Sequence, residues 1–153
     1  MTFRVFAALC LGGVLLNFFA AQAATPSPYG LWLTSDQEGV VAITACGKNI
    51  CGHIAGVSLD HPNDAMPTNW RGEPECGEPF IQAAPAANAP GKWRGTILDP
   101  NSGHVWKAMI SVQNGNLRLH GYFAIPIFGE TQNWTPFTGH IGSNCLFIPP
   151  GSP

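Results

Sequence analysis

The chain has 153 residues, with seven Lys and Arg against nine Asp and Glu, which gives a formal net charge of −2. The few basic residues form no stripe along the chain, which argues against a nucleic-acid-binding surface. Charged residues make up only 10% of the chain, which also contains 18 Gly and 14 Pro. This composition indicates many short strands and turns.

Residues 1–23 are typical of an export signal. Arg4 precedes an apolar run at 5–19, and Ala21-Gln22-Ala23 supplies the small residues of a cleavage site. The alternative, a membrane-anchoring helix, needs a longer apolar run. We therefore expect a periplasmic or secreted protein without a membrane span after cleavage. Its single domain occupies 24–153 and includes a C-terminal tail at 138–153.

The stretch CGKNICG predicts the turn of a β-hairpin, because apolar runs flank it at 40–45 and 53–59. A two-residue turn at Lys48 and Asn49 places Cys46 opposite Cys51. The same pairing places His53 opposite Thr44 and gives each strand two faces of alternating residues.

Four cysteines remain after the signal, an even number that suits two disulfide bonds in an oxidising compartment. Four cysteines allow three pairings. An antiparallel pair brings Cα atoms within disulfide range, so the hairpin favours Cys46–Cys51 and leaves Cys76–Cys145. Chain entropy makes the short bridge worth roughly 2 kcal/mol and the long one roughly 4 kcal/mol.

Period-two alternation predicts an all-β fold without a helix of ten residues beyond the signal. A small antiparallel up-and-down barrel of about eight strands, or a sandwich, fits this count. Six prolines interrupt 60–91, which we expect to be one long loop whose middle is held by Cys76 and whose alanine-rich end is flexible. The predicted strands lie at 29–34, 40–45, 53–59, 80–81, 92–99, 104–112, 117–125 and 131–137.

Four stretches, GLWLT, VVAITACGKNICGHI, WRGTILDPNSGHVWKAMISV and LRLHGYFAIPIFGETQNWT, resemble the exported bacterial family known as domain of unknown function 2147. The resemblance covers 29–135 and is weakest at 60–91. It implies a lipocalin-like β-barrel that binds a small, largely apolar molecule. The family brings no catalytic residues.

Gly30-Leu31-Trp32 also resembles the G-x-W element that opens the first strand of lipocalins, where the Trp closes the barrel floor. Lipocalin-like barrels supply an Arg near the last strand to stack on this Trp. Here Pro136 follows Trp134-Thr135 in the place of that Arg, which leaves Arg118 as the candidate substitute.

Asp99, Ser102 and His104 have side chains suited to nucleophilic catalysis, but they fall within the six-residue stretch DPNSGH. A catalytic triad converges across a pocket, whereas turn chemistry accounts for this stretch. Cys51 and His53 share a strand face, but oxidation of Cys51 removes that nucleophile. We predict no catalytic residue and a non-enzymatic protein.

Metal-ligating residues are scattered, and the five His have no HxxxH or HExxH spacing. The dense group Asp60, His61, Asn63 and Asp64 is either a weak metal site or a solvated turn, and the turn is favoured. Glu73, Glu75 and Glu78 are interpreted as a solvated acidic loop. We predict neither a metal nor a cofactor.

Five aromatic residues could line a cavity in an eight-stranded barrel or could simply fill its core. The cavity interpretation predicts binding of a small apolar or amphipathic molecule. The alternative is a structural or protein-interaction module of the cell envelope with a packed core. The cavity candidates are Trp32, Trp93, Trp106, Phe123 and Trp134.

The signal interpretation predicts that the mature chain begins near Ala24. Expression in a bacterium with an export pathway, followed by intact mass measurement of the folded product, should show loss of 1–23. A folded, disulfide-bonded product that retains these residues would contradict the prediction.

Overall fold

The computed structural model describes residues 26–61 and 63–152. The predicted export signal at 1–23 lies outside these residues. Within the described part of the chain, no helix has the length and apolar character needed to cross a membrane.

Eight antiparallel strands pair in chain order and close into one barrel, because β1 also pairs with β8. This confirms the all-β barrel and selects it over a sandwich. The strands are β1 (Gly30–Leu33), β2 (Gly39–Cys46), β3 (Asn49–Val57), β4 (Pro79–Pro85), β5 (Lys92–Leu98), β6 (Val105–Gln113), β7 (Asn116–Tyr122) and β8 (Gly129–Pro136).

Side chains alternate between the interior and the outer surface along each strand. On β7, Leu117 and Leu119 are buried, whereas Arg118 between them is exposed. Burying side chains of this size contributes about 1.5–3 kcal/mol each. The main core cluster consists of Trp32, Val41, Ile43, Ile50, Ile81, Ala83, Ile110, Leu117, Leu119 and Trp134.

The β2–β3 hairpin turns one residue earlier than its sequence indicates. Gly47 and Lys48 occupy the turn, so Cys46 pairs with Asn49 and Cys51 has a different partner from the one predicted. Gly47 has a φ of 68°, which suits the first central position of a type II′ turn. The predicted register, with Cys46 opposite Cys51, is therefore wrong.

Both predicted disulfide bonds are nevertheless present. Cys46 and Cys51 are joined diagonally across the hairpin with a Cα–Cα distance of 5.8 Å. Cys76 and Cys145 are joined over a sequence separation of 69 with a Cα–Cα distance of 6.2 Å. Both distances lie within the usual range for a disulfide.

Strand β4 is longer than the two residues expected, and it includes part of the stretch predicted to be a flexible end. Ala83 is buried and pairs with both Ile50 and Gly95. A Cβ at Gly95 would lie 1.9 Å from the Gln82 carbonyl oxygen, so only Gly permits this approach of β5 to β4. The connection without a named strand is therefore 58–78 rather than 60–91.

The C-terminal tail packs on the outer surface of the barrel. The Val57 amide donates to the Cys145 carbonyl at 2.9 Å, and the Phe147 amide donates to the Val57 carbonyl at 3.1 Å. The Phe147 ring meets Phe137 edge-on at 5.3 Å. These two rings, together with Leu33 and Val40, form a second buried cluster outside the main core.

Trp32 is buried, as its place in a G-x-W element implies. Its indole Nε1 donates to the Pro28 carbonyl at 2.8 Å. Arg118, the expected substitute for the stacking Arg, is exposed on the outer side of β7. It therefore does not cover Trp32, because inward and outward positions alternate along the strand.

Replacing Cys76 and Cys145 together by Ala should lower the free energy of unfolding by about 4 kcal/mol, since the closed loop is long. The matched variant without Cys46 and Cys51 should lose only about 2 kcal/mol. Urea unfolding of both variants measures the difference. Equal losses, or a larger loss for the hairpin pair, would contradict this ranking.

Candidate functional site

Four connections of the barrel lie at the same end, because consecutive strands run in opposite directions. These are the β1–β2, β3–β4, β5–β6 and β7–β8 connections. We call this end the mouth. Two neighbouring cavities open here, with volumes of about 340 Å³ and about 350 Å³. Both are lined by Ile97, Asp99, Trp106 and Gln132.

Small residues leave the mouth end of the barrel open. Gly121 occupies an inward position next to Ala108, and a Cβ added to it would meet no atom within 4 Å. Deeper in the barrel, Trp134 is only 2% exposed, and it lines the cavity of about 340 Å³. The interior is therefore filled below Trp134 and vacant beside Gly121.

The five aromatic cavity candidates occupy three different environments. Trp106 lines both cavities and Trp134 lines one of them. Trp32 belongs to the main core, and Trp93 packs against that core from a partly buried position. Phe123 is 68% exposed and meets Trp106 edge-on at 6.2 Å. The structure therefore brings Trp106, Trp134 and Phe123 to the mouth.

Gln132 is a polar group on the cavity wall. Its Oε1 accepts a hydrogen bond from the Trp134 indole at 2.8 Å, which fixes the orientation of the carboxamide. The indole carries only a donor, so the amide nitrogen of Gln132 must point away from it. That nitrogen can donate to a ligand oxygen within the cavity.

Carboxylates surround the aromatic cavity. Five of the nine acidic residues in the sequence line one or both of the two cavities. Each of the four connections at the mouth, or a strand end next to it, contributes at least one of them. No Lys or Arg is among the residues that line these two cavities. We call this set the acidic rim: Asp36, Glu38, Glu75, Asp99 and Glu130.

Hydrogen bonds in the β5–β6 connection match the turn predicted for DPNSGH. The Asp99 carboxylate accepts from the Asn101 amide at 2.9 Å and from the Ser102 hydroxyl at 2.5 Å. The Ser102 oxygen in turn accepts from the His104 amide at 3.2 Å. Asp99 thus orders the turn while its side chain remains on the cavity wall. The His104 ring lies 5.9 Å from the Trp106 ring, with the two planes tilted by 37°.

The acidic stretch around Cys76 is only partly the solvated loop that was expected, because Glu78 is buried. Its carboxylate accepts from the buried Asn69 side chain at 2.9 Å and lies 3.4 Å from the Arg71 guanidinium. Arg71 also pairs with Glu73 at 2.7 Å. This network organises the connection and leaves Glu75 as the acidic residue that faces the cavity.

The pKa values of two glutamates in this connection shift in opposite directions. Hydrogen bonds from Arg71 and Asn69, followed by the charge of Arg71, lower the pKa of Glu73. Burial raises the pKa of Glu75, and the nearby charges of Glu78 and Asp99 raise it further. Ionisation of Glu75 therefore lowers the stability of the protein without a ligand.

An exposed apolar segment at 123–128 borders the cavity. The sequence predicted that this strand would continue to Ile125, but β7 ends at Tyr122. The His120 Nε2–H donates to the Pro126 carbonyl at 2.6 Å and so holds the segment back against the strand. Four of its side chains are large and exposed: Phe123, Ile125, Ile127 and Phe128.

Other candidate groups lie apart from the mouth. Asp64 accepts from the His61 amide at 2.9 Å in an exposed turn. Among the residues the structure describes, no group of three metal-ligating side chains comes together. His53 pairs with Ala42 instead of Thr44, and Cys51 is oxidised, so these two do not form a nucleophile and base.

The acidic rim was not identified from the sequence, although one signal was available. Glu130 follows the same period-two alternation as Gln132 and Trp134, which places it on the inner face. The other members come from connections whose convergence depends on closure of the barrel. Sequence alternation alone therefore reveals only the strand-borne member of the rim.

A family model described as "Uncharacterized protein conserved in bacteria (DUF2147)" matches residues 30–136. The match begins at the first residue of β1 and ends at the last residue of β8, so it coincides with the barrel. A search of curated proteins and a search of solved structures each gave no significant match.

Replacing Glu75 by Gln should raise the free energy of unfolding at pH 7 by roughly 0.3 kcal/mol, because Glu75 is only partly buried and solvent screens its charge. The raised pKa means that folding favours protonated Glu75, so its contribution is present below pH 4.5 and is lost as pH rises through the raised value. The variant and the parent should therefore converge in stability at low pH.

Replacing Glu73 by Gln provides the opposite control, because the lowered pKa of Glu73 gives stability above pH 4.5 that is lost on acidification. Urea unfolding between pH 3 and pH 8 measures both variants. Destabilisation by Glu75→Gln at neutral pH would contradict the interpretation of Glu75.

Proposed function

The chain belongs to the bacterial family DUF2147, and we propose that its barrel binds a small apolar or amphipathic molecule without transforming it. The observation that carries this proposal is the vacant, aromatic-walled space at the mouth. This space consists of the two neighbouring cavities of about 340 Å³ and about 350 Å³, and each volume falls within the range of small-molecule sites.

The chemistry of the wall supports binding rather than catalysis. Trp106, Trp134 and Phe80 offer ring faces to an apolar body, and Gln132 offers one hydrogen-bond donor. The Ser102 side chain and the His104 backbone amide are engaged in the hydrogen bonds of the DPNSGH turn. No arrangement of nucleophile, base and orienting group emerges from these contacts.

Export of the protein is part of the proposal. Two disulfide bonds and a bacterial family are compatible with a location outside the cytoplasm, where thiols are oxidised. We propose that 1–23 directs the chain to the periplasm or the medium and is then removed. The barrel would therefore meet its ligand in the cell envelope or beyond it.

A second candidate function is a protein-interaction module, which the exposed segment at 123–128 favours. Exposed apolar patches commonly mark contact surfaces. Such a module needs the outer surface of this segment and not the cavity beside Gly121. A substitution that fills the cavity alone therefore separates the two candidates.

Replacing Gly121 by Leu should fill the vacant space and weaken binding of 1-octanol at least about tenfold, which corresponds to about 1.4 kcal/mol. The fold should tolerate the change, because Gly121 has no left-handed φ and its added Cβ meets no atom within 4 Å. Tryptophan fluorescence measures the binding, and thermal unfolding verifies the fold.

The matched control is Ala84→Leu, which adds an apolar side chain at an exposed position of β4. This variant should bind 1-octanol as the parent does. Absence of octanol binding by the parent, or equal binding by a folded Gly121→Leu variant, would contradict the cavity function.

A further inference from the structure

The residues that line the mouth also define the polar end of a ligand. Each cavity combines ring faces with carboxylates, and no Lys or Arg lines either one. Ring faces carry negative electrostatic potential, as carboxylates carry negative charge, so both attract a cation. The carboxylates would repel an anionic headgroup at the same place.

The rim carboxylates have no cationic partners of their own. Across residues 26–61 and 63–152, ion pairs involve Asp64, Glu73 and Glu78, and none involves a member of the acidic rim. Three members, Glu38, Glu75 and Glu130, also have side chains that make none of the hydrogen bonds found in this part of the structure. These carboxylates are therefore available to a ligand.

Two basic residues, Arg71 four positions before Glu75 and Lys107 next to Trp106, are already engaged or face elsewhere. Arg71 is paired with Glu73 and Glu78 and lies over the Trp70 ring at 4.3 Å. Lys107 follows Trp106 on β6, so it points to the outer surface where Trp106 points inward. Neither residue neutralises the rim from within the cavity.

We propose that the mouth selects a cationic amphiphile, whose apolar body enters beside Gly121 and Trp134 while its ammonium group lies among the rim carboxylates and against Trp106. This inference rests on the proposed binding function and specifies its ligand class. An organic amine or quaternary ammonium compound satisfies both halves of the site, whereas a fatty acid satisfies only the apolar half.

Burial and charge at Glu75 support the same choice. The pKa of Glu75 is raised first by burial and then by Glu78 and Asp99, so a bound cation would relieve the cost of its ionisation. The other titratable residues that line the same cavity as Glu75 are all acidic: Asp36, Glu38 and Asp99. Binding should therefore weaken as the pH falls and Glu75 is protonated.

Three probes with the same eight-carbon chain test the inference: octylammonium, 1-octanol and octanoate. At pH 7 and low salt, we expect octylammonium to bind about tenfold more tightly than 1-octanol, and octanoate to bind most weakly. Raising the salt to about 1 M should shrink the differences in affinity among the three probes. The Debye length is then only about 3 Å, so charges farther apart than this are largely screened.

The triple variant Glu38→Gln, Glu75→Gln and Glu130→Gln retains side-chain size while removing three rim charges. Its affinity for octylammonium should fall towards its affinity for 1-octanol, so that most of the preference for the cation is lost. Asp60→Asn, an acidic residue outside both cavities, is the control and should retain that preference.

The outcomes separate this inference from the proposed function. Binding of 1-octanol with no gain for octylammonium, or a preference that persists in the folded triple variant, would overturn cation selection and leave the binding function standing. If none of the three probes binds, both proposals fail.

Discussion

Closure of eight strands into a single barrel makes every inward position either a filler of the core or a boundary of empty space. Trp134 and the main cluster fill the lower interior, and Gly121 leaves the upper interior vacant. A packed core and an open cavity are thus both present, at different depths of one barrel. The positions of the large and small inward residues therefore determine which depth of the barrel is filled and which is open.

The disulfide between Cys76 and Cys145 links the two parts of the chain that lie outside the strand ladder. It joins the β3–β4 connection to the C-terminal tail, and the tail is bonded to β3 through Val57. The same connection carries Glu75 to the cavity wall, with Asn69 and Arg71 organising the residues around it. The position of Glu75 therefore depends on the C-terminal tail, which packs on the outer surface of the barrel and is linked to Cys76.

Much of the fold could be predicted from alternation, whereas register and site depended on details that alternation does not contain. The β2–β3 turn moved from Lys48-Asn49 to Gly47-Lys48, because Gly47 readily adopts the positive φ of a II′ turn. This shift changes each partner by two positions, so Val41 and Ile43 still share one face of β2, and that face is the buried one. Strand β4 was underestimated because Ala and Pro have low strand propensity, yet Ala83 fits where Gly95 brings the neighbouring backbone close. The rim was missed because its members are distant in sequence and meet only when the barrel closes.

The central claim is that the two neighbouring cavities that share Trp106, one lined by Trp134 and the other by Gly121, admit an apolar ligand from the mouth. Indole N–H resonances in two-dimensional NMR test it most directly, because each of the five Trp residues reports its own surroundings. Titration with octylammonium should shift the signals of Trp106 and Trp134 together while leaving Trp70, which packs against Gly103, unchanged. Unchanged Trp106 and Trp134 signals at saturating probe, or a shift confined to Trp70, would contradict the account.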